Sequence, residues 1–194
     1  PIAASSRLFR NDGGRFELDQ VNASALRSVG LVSGAVFSDV DGDGDPDLLL
    51  AIELGPIKLF LNDGGRFSEA GNRYGLGSHT SRWNGITTGD LNGDARLDIV
   101  ATSWGRNTKY HVTPNTPLLV YYGDFDRNRT VDVVEAQYDP NRGGVYPLET
   151  LSRMTLAIPS TRSRARSFAA YAAATVEEVI GPELARGGGG RIAI

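Results

Sequence analysis

The sequence contains no cysteine, which excludes a disulfide framework, a thiolate metal site and a cysteine nucleophile, and leaves the redox compartment undetermined. Histidine is almost as scarce. His79 and His111 are the only two, and no His-Glu-x-x-His, Gly-x-Ser-x-Gly or phosphate-loop lysine motif accompanies them, so a hydrolytic or phosphoryl-transfer centre has little to be built from. No apolar run approaches the roughly twenty residues a spanning helix requires, so no membrane span is expected. The segment from Pro1 to Arg10 lacks the basic-then-apolar pattern of an export signal, so either a signal has been removed or the chain is an excerpt of a longer one. An excess of positive charge is missing too: the net charge is −3, which gives no general attraction to nucleic acid. Arg162, Arg164 and Arg166 read as a solvated helix face.

What is present is ordinary in amount and unusual in arrangement. Hydrophobic residues make up 40% and charged residues 22% of 194 residues, enough for a packed core in one structural object. The 24 glycines suit a fold with many tight turns and would destabilise an all-helical one. The acidic residues are gathered into a few loops.

Self-similarity organises the chain. Residues 8–16, Leu-Phe-Arg-Asn-Asp-Gly-Gly-Arg-Phe, return 51 positions later at 59–67 with one change, Arg10 to Leu61. A second motif, Asp39-Val-Asp-Gly-Asp-Gly-Asp-Pro-Asp47, returns at the same spacing as Asp90-Leu-Asn-Gly-Asp-Ala-Arg-Leu-Asp98. Between these markers the unit reads as four short strands, Ala35–Phe37, Leu48–Ile52, Ile57–Leu61 and Arg66–Ser68, punctuated by Asp/Gly/Pro clusters. Asn62-Asp63-Gly64-Gly65 supplies the residues that a tight hairpin needs. Four antiparallel strands in about fifty residues, repeated, describe a propeller blade. A third acidic loop, Asp124 to Asp132, lies only 34 residues after the second, between strand-like segments Leu118–Tyr122 and Val131–Ala136. These either begin a new blade or close the second. From Ser160 to Ile180 the period becomes helical, with Phe168, Tyr171, Thr175 and Val179 on one face, and a Thr175/Glu178 capping box that breaks the helix into two pieces.

Each acidic loop puts side-chain oxygens at its first, third, fifth and ninth positions: Asp39, Asp41, Asp43, Asp47; Asp90, Asn92, Asp94, Asp98; Asp124, Asp126, Asn128, Asp132. The backbone carbonyl of the seventh residue, Asp45, Arg96 or Thr130, is expected to complete the ring. Oxygen-only donors at alternate positions suit a hard cation of the size of calcium, and closely held carboxylates either raise one another's pKa or need a positive charge between them. Up to three calcium ions are expected. The third loop is the weakest site, because Arg127 and Arg129 stand where the first has Gly42 and Gly44. An EF-hand opens with the same pattern, but its twelfth position would be Leu50 where a bidentate glutamate is needed, and the flanks are strand-like. The third loop does carry Glu135 at that position.

On these residues the chain resembles the FG-GAP or VCBS repeats of integrin-like β-propellers, whose calcium hairpin has the form Asp-x-Asp-x-Asp-Gly-x-x-Asp. The match is full at Asp39–Asp47. The stretches Leu59–Phe67, Thr102–Asn107 and Tyr122–Asp126, with the alanine-rich helix, are similar to the ASPIC/UnbV or cartilage-acidic-protein-like branch. The resemblance implies a mainly β chain, a partial β-propeller of four-stranded antiparallel blades with calcium-loop hairpins and an inserted C-terminal helix. The expected organisation is a partial blade at 1–33, a blade at 34–84, irregular blade structure at 85–160, a helix at 161–181 and a glycine-rich tail at 182–194. The expected function is non-enzymatic recognition of a protein or glycan ligand by an exported module, since millimolar calcium sites fill outside the cytosol. The remaining blades of a longer parent chain would be further partners. The alternative is a propeller segment of a polysaccharide-acting enzyme using His79, Trp83, Trp104 or His111.

Overall fold

A computed structural model describes residues 5–104, 108–113, 115–181 and 189–194. It is mainly β and divides into two units, Ile2–Asn107 and Thr108–Ile194. The first unit opens with a hairpin of β1 (Phe9–Asp12) and β2 (Arg15–Leu18). A meander follows: β3 (Leu31–Ser38), β4 (Asp47–Pro56), β5 (Lys58–Asp63) and β6 (Arg66–Glu69), each antiparallel to the next. After a 3-10 turn at Leu76–Ser78 come β7 (Thr80–Gly89) and β8 (Asp98–Ser103), again an antiparallel pair, with the start of β7 joined to the end of β4.

The two-residue period of β4 sorts its side chains to two faces. Leu48, Leu50 and Ile52 pack with Leu26, Val29 and Phe60, while Leu49 joins Ile57 and Leu59, against which Val36, Trp83, Ile86, Ile99 and Ala101 rest. Both faces are covered, which is why the run from Leu48 to Ile52 is apolar throughout instead of alternating. β3 and β7, whose sequences stand at the repeat spacing, lie against each other. The Ser33 hydroxyl donates to the Trp83 carbonyl at 2.6 Å, and the Ser38 and Thr88 hydroxyls meet at 2.7 Å. A Cβ on Gly34 would sit 3.1 Å from the Gly85 Cα, so glycine permits this approach.

The second unit is a four-stranded sheet in the order β11-β10-β9-β12, built from β9 (Leu118–Gly123), β10 (Asp132–Asp139), β11 (Gly144–Pro147) and β12 (Gly190–Ala193). The strands flanking the third acidic loop therefore belong to a sheet of their own and do not complete the β7–β8 pair. Four short helices cover the sheet: α1 (Leu151–Ala157), α2 (Thr161–Arg164), α3 (Phe168–Ala173) and α4 (Val176–Ile180). Met154, Ile158, Tyr171, Val176, Val179 and Ile180 form one core with Leu119, Tyr121 and Val134 of the sheet.

Two expectations about the C-terminal part are corrected. The helical stretch begins at Leu151 and consists of four pieces, because Thr150, Ser167 and Thr175 each turn a side-chain oxygen onto a backbone N–H three residues on and restart the helix. The Thr175/Glu178 capping box is present, but Phe168 is 73% exposed and lies outside the buried face. Nor is residue 190 onward a tail: Gly190–Ala193 pairs with β9. A Cβ on Gly189 would meet the Tyr122 carbonyl oxygen at 2.5 Å, so here glycine serves close packing. Gly187 and Gly188 lie outside the described residues.

Candidate metal centres

The three acidic loops share one hydrogen-bond scheme. In the first, Asp39 Oδ1 accepts from the N–H groups of Gly42 and Asp43, and its Oδ2 from Gly44, at 2.8 to 3.1 Å. Asp90 does the same for Gly93, Asp94 and Ala95, and Asp124 for Asn128 and Arg129. The third-position side chain, Asp41, Asn92 or Asp126, accepts from the N–H of the fifth residue. The fifth-position side chain, Asp43, Asp94 or Asn128, accepts from that of the seventh, Asp45, Arg96 or Thr130. The ninth-position carboxylate, Asp47, Asp98 or Asp132, closes the loop on the N–H of the second residue at 2.9 to 3.0 Å.

This scheme demands left-handed backbone at the fourth and sixth positions. Gly42 and Gly44 have φ of 79° and 96°, and Gly93 has 79°, but Ala95 (64°), Arg127 (63°) and Arg129 (70°) adopt the same conformation without being glycine. Such residues cost about 1–2 kcal/mol each. Arg127 and Arg129 thus hold the backbone geometry that Gly42 and Gly44 hold in the first loop.

The scheme also turns oxygens toward one another. Ligand atoms of Asp39, Asp41 and Asp43 all lie within 4.8 Å of one another, as do those of Asp124, Asp126 and Asp132. Partial loss of hydration, then the charges of Asp47, Asp43 and Asp39, holds the Asp41 carboxyl above its ordinary value. Burial, then Asp126 and Asp124 against the opposing pull of the Phe125 N–H, does the same to Asp132. At Asp90 the donated N–H groups of Gly93 and Ala95 lead, and its carboxyl is lowered. The first and third loops therefore carry repulsion that a cation relieves, and their all-oxygen donor sets fit calcium. In the second loop the asparagine supplies a neutral oxygen, and its amide donates to Asp94 Oδ2 at 3.3 Å.

Asp47 has a further task. It is fully buried, and its second oxygen accepts from the Asn62 N–H at 2.9 Å. The Asn62 amide donates to the Pro46 carbonyl, and the Gly64 N–H to Asp45 Oδ2. The acidic loop and the Asn-Asp-Gly-Gly turn are thus one object. Both motifs recur at the 51-residue spacing, but nothing in that spacing indicates a bond between them.

Other candidates have structural duties. Glu135, at the twelfth position of the third loop, faces Lys109 at 3.2 Å and the Tyr110 hydroxyl at 2.7 Å, so it is engaged away from an EF-hand role. Burial acts to lower the Lys109 ammonium, but the hydrogen bond and charge of Glu135 outweigh it and hold it above its ordinary value. Trp83 donates from its indole to the His79 carbonyl, Arg82 stacks on the Trp104 ring at 4.2 Å, and the His111 carbonyl accepts from the Gln137 amide at 2.7 Å. Residues 105–107 of the Thr102–Asn107 stretch lie outside the described residues. A comparison with curated proteins finds no match to this chain. Among protein families, the stretch from the first acidic loop into β8, residues 39–101, matches the FG-GAP-like repeat, the family to which this part of the chain is similar.

Proposed function

We propose that this chain is a calcium-binding β-propeller module of the FG-GAP/VCBS kind, in the ASPIC/UnbV branch, that serves recognition of a protein or glycan outside the cytosol and carries out no catalysis. The observation that carries the reading is the recurrence of one hydrogen-bond scheme in three loops, two of which bring three carboxylates within 4.8 Å. In the first loop Asp39, Asp41, Asp43 and Asp47 would supply side-chain oxygens and Asp45 a carbonyl. The corresponding donors are Asp90, Asn92, Asp94, Asp98 and Arg96 in the second, and Asp124, Asp126, Asn128, Asp132 and Thr130 in the third. Bound calcium supplies a charge that lets the carboxylates approach without mutual repulsion; the chain's own N–H groups fix the direction of each carboxylate beforehand. The close lie of β3 on β7, at the repeat spacing, supports successive blades. The recognition role is favoured over a polysaccharide-acting enzyme because His79 and His111 contribute through their backbone carbonyls, and Trp83 and Trp104 are tied into the framework.

Calorimetric titration of metal-free protein with calcium tests the metal reading. Three equivalents are expected, with the Asp39–Asp47 loop tightest. No heat and no change in melting up to millimolar calcium would overturn it.

A further inference from the structure

Three successive residues at the end of the first acidic loop are tied to a single turn. Asp45 Oδ2 accepts from the Gly64 N–H at 2.9 Å, the Pro46 carbonyl from the Asn62 side-chain amide at 3.0 Å, and Asp47 Oδ1 from the Asn62 N–H at 2.9 Å. Proline fixes its own φ and narrows the choices of the residue before it, so Asp45-Pro46-Asp47 is a stiff segment. Two of its three residues are expected donors to a cation, Asp45 through its carbonyl and Asp47 through its carboxylate. The turn therefore grips the loop where its ligands stand.

Asn62 is bonded at both ends of its side-chain amide. Its Oδ1 accepts from the Gly65 N–H at 2.8 Å, which closes the β5–β6 hairpin, and its nitrogen reaches across to Pro46. The first of these bonds belongs to the hairpin itself, because Asn11 makes it as well, with the Gly14 N–H at 2.9 Å. The second couples the turn to the loop. Behind the turn stands Asn22, 3% exposed, which donates to the Gly65 carbonyl at 2.9 Å, accepts from the Phe67 N–H at 2.9 Å, and is itself held by Asp19 Oδ2 at 2.9 Å. A turn backed in this way keeps its face to the loop fixed. In the second loop Arg96 stands where Asp45 does, and a guanidinium accepts no N–H, so the side-chain tie of Asp45 has no counterpart there.

We propose that Asn62 is a positioning residue for the cation of the first loop: it donates nothing to the ion, but through Pro46 and Asp47 it sets the Asp45 carbonyl and the Asp47 carboxylate where an ion needs them, with Asn22 holding the turn from behind. The inference rests on the metal reading above and adds to it the residue that tunes one site. Groups that orient metal ligands are typically worth about ten- to a hundredfold in affinity. Asn62 carries no charge, so its loss acts through position and not through the field at the site. The coupling is reciprocal: a turn that fixes the loop for an ion is in turn fixed when the loop is filled.

Calcium titration of the full chain, followed loop by loop through the amide NMR signals of Gly44, Ala95 and Arg129, tests this with Asn62→Ala and Asn11→Ala. In Asn62→Ala the midpoint at Gly44 should rise about tenfold while those at Ala95 and Arg129 stay in place. Asn11→Ala removes the equivalent hairpin bond and should move none of the three. Calcium should slow hydrogen exchange at the Gly64 N–H in the wild type, and should no longer do so in Asn62→Ala. A wild-type Gly44 signal that ignores millimolar calcium refutes the metal reading and the positioning role with it. A normal wild-type response with an unchanged Gly44 midpoint in Asn62→Ala overturns the positioning role alone. So does an equal shift at all three loops, or the same shift in Asn11→Ala, since lost stability would then be the cause. Should Asn62→Ala fail to fold, wild-type exchange at Gly64 decides, and equal rates in calcium and in chelator overturn the coupling.

Discussion

The two roles assigned to carboxylates in the first loop are separable by experiment, and the contrast between Asp47 and Asp41 separates them. Replacing Asp47 by alanine removes the acceptor of two backbone N–H groups, Val40 and Asn62, both bound at 2.9 Å to a side chain with no exposure. An N–H left without a partner costs about 1–3 kcal/mol. Val40 and Asn62 are only half-buried, so the lower part of that range applies, about 1–2 kcal/mol each and about 2–4 kcal/mol together. For a unit of this size each kcal/mol moves the melting midpoint by about 4–8 °C, so Asp47→Ala should lower it by about 8–32 °C, and should do so in chelator as well as in calcium. Asp41 is exposed and accepts a single N–H at 3.3 Å. Asp41→Ala should change the chelated protein by no more than about 0.5 kcal/mol, as an exposed substitution does. In calcium it should forfeit the gain that ligand at a hundred times its dissociation constant confers, about 2.7 kcal/mol per site. Circular dichroism melts of three proteins in two buffers measure all of this. An Asp47→Ala curve that coincides with wild type in chelator refutes the anchoring argument. An Asp41→Ala protein that keeps the full calcium-induced shift refutes the ligand argument.

Relief of left-handed strain should be visible at Ala95 and Arg129: Ala95→Gly and Arg129→Gly should each stabilise the protein by about 0.5–1 kcal/mol, the strain removed less the extra freedom glycine gives the unfolded chain, read from denaturant midpoints. Burial, with the charge of Glu149 adding to it, pushes the Tyr171 hydroxyl up to about 12, while it donates to the Glu149 carbonyl at 2.7 Å. A folded value above the unfolded one means that this contribution is complete below pH 10 and is lost as pH rises from there through 12, so melts between pH 8 and 11 should fall more steeply for wild type than for Tyr171→Phe. Thr175→Ala removes half of the capping box and should cost about 1 kcal/mol, measured as lost helical signal and a lower midpoint of the second unit.

What could be read from the chain was whatever rests on local chemistry. The acidic loops, the Asn-Asp-Gly-Gly turns and the strands β4, β5, β9 and β10 were legible, because turn residues and unbroken apolar runs leave few alternatives. β3 was partly legible, extending beyond Ala35–Phe37 to Leu31–Ser38, and β7 at Thr80–Gly89 was not read as a strand, because serine, threonine and glycine face a neighbouring strand there. The restarts at Thr150 and Ser167 were missed because an alanine-rich stretch masks caps that only their side-chain geometry reveals. β12 was hidden by composition: a glycine run reads as slack until a tyrosine pressed against it shows why nothing larger fits. Within the site, the donor positions were legible and the second task of Asp47 was not, since a partner fifteen residues away is invisible to spacing.

The backbone amides that hold each carboxylate do so through the chain alone, and the turn keeps its outline even where arginine and alanine have replaced glycine. Under the proposed metal reading, a substitution at an exposed donor such as Asp41 would empty one loop and leave its sheet standing, so a row of such units could grade its affinity along its length.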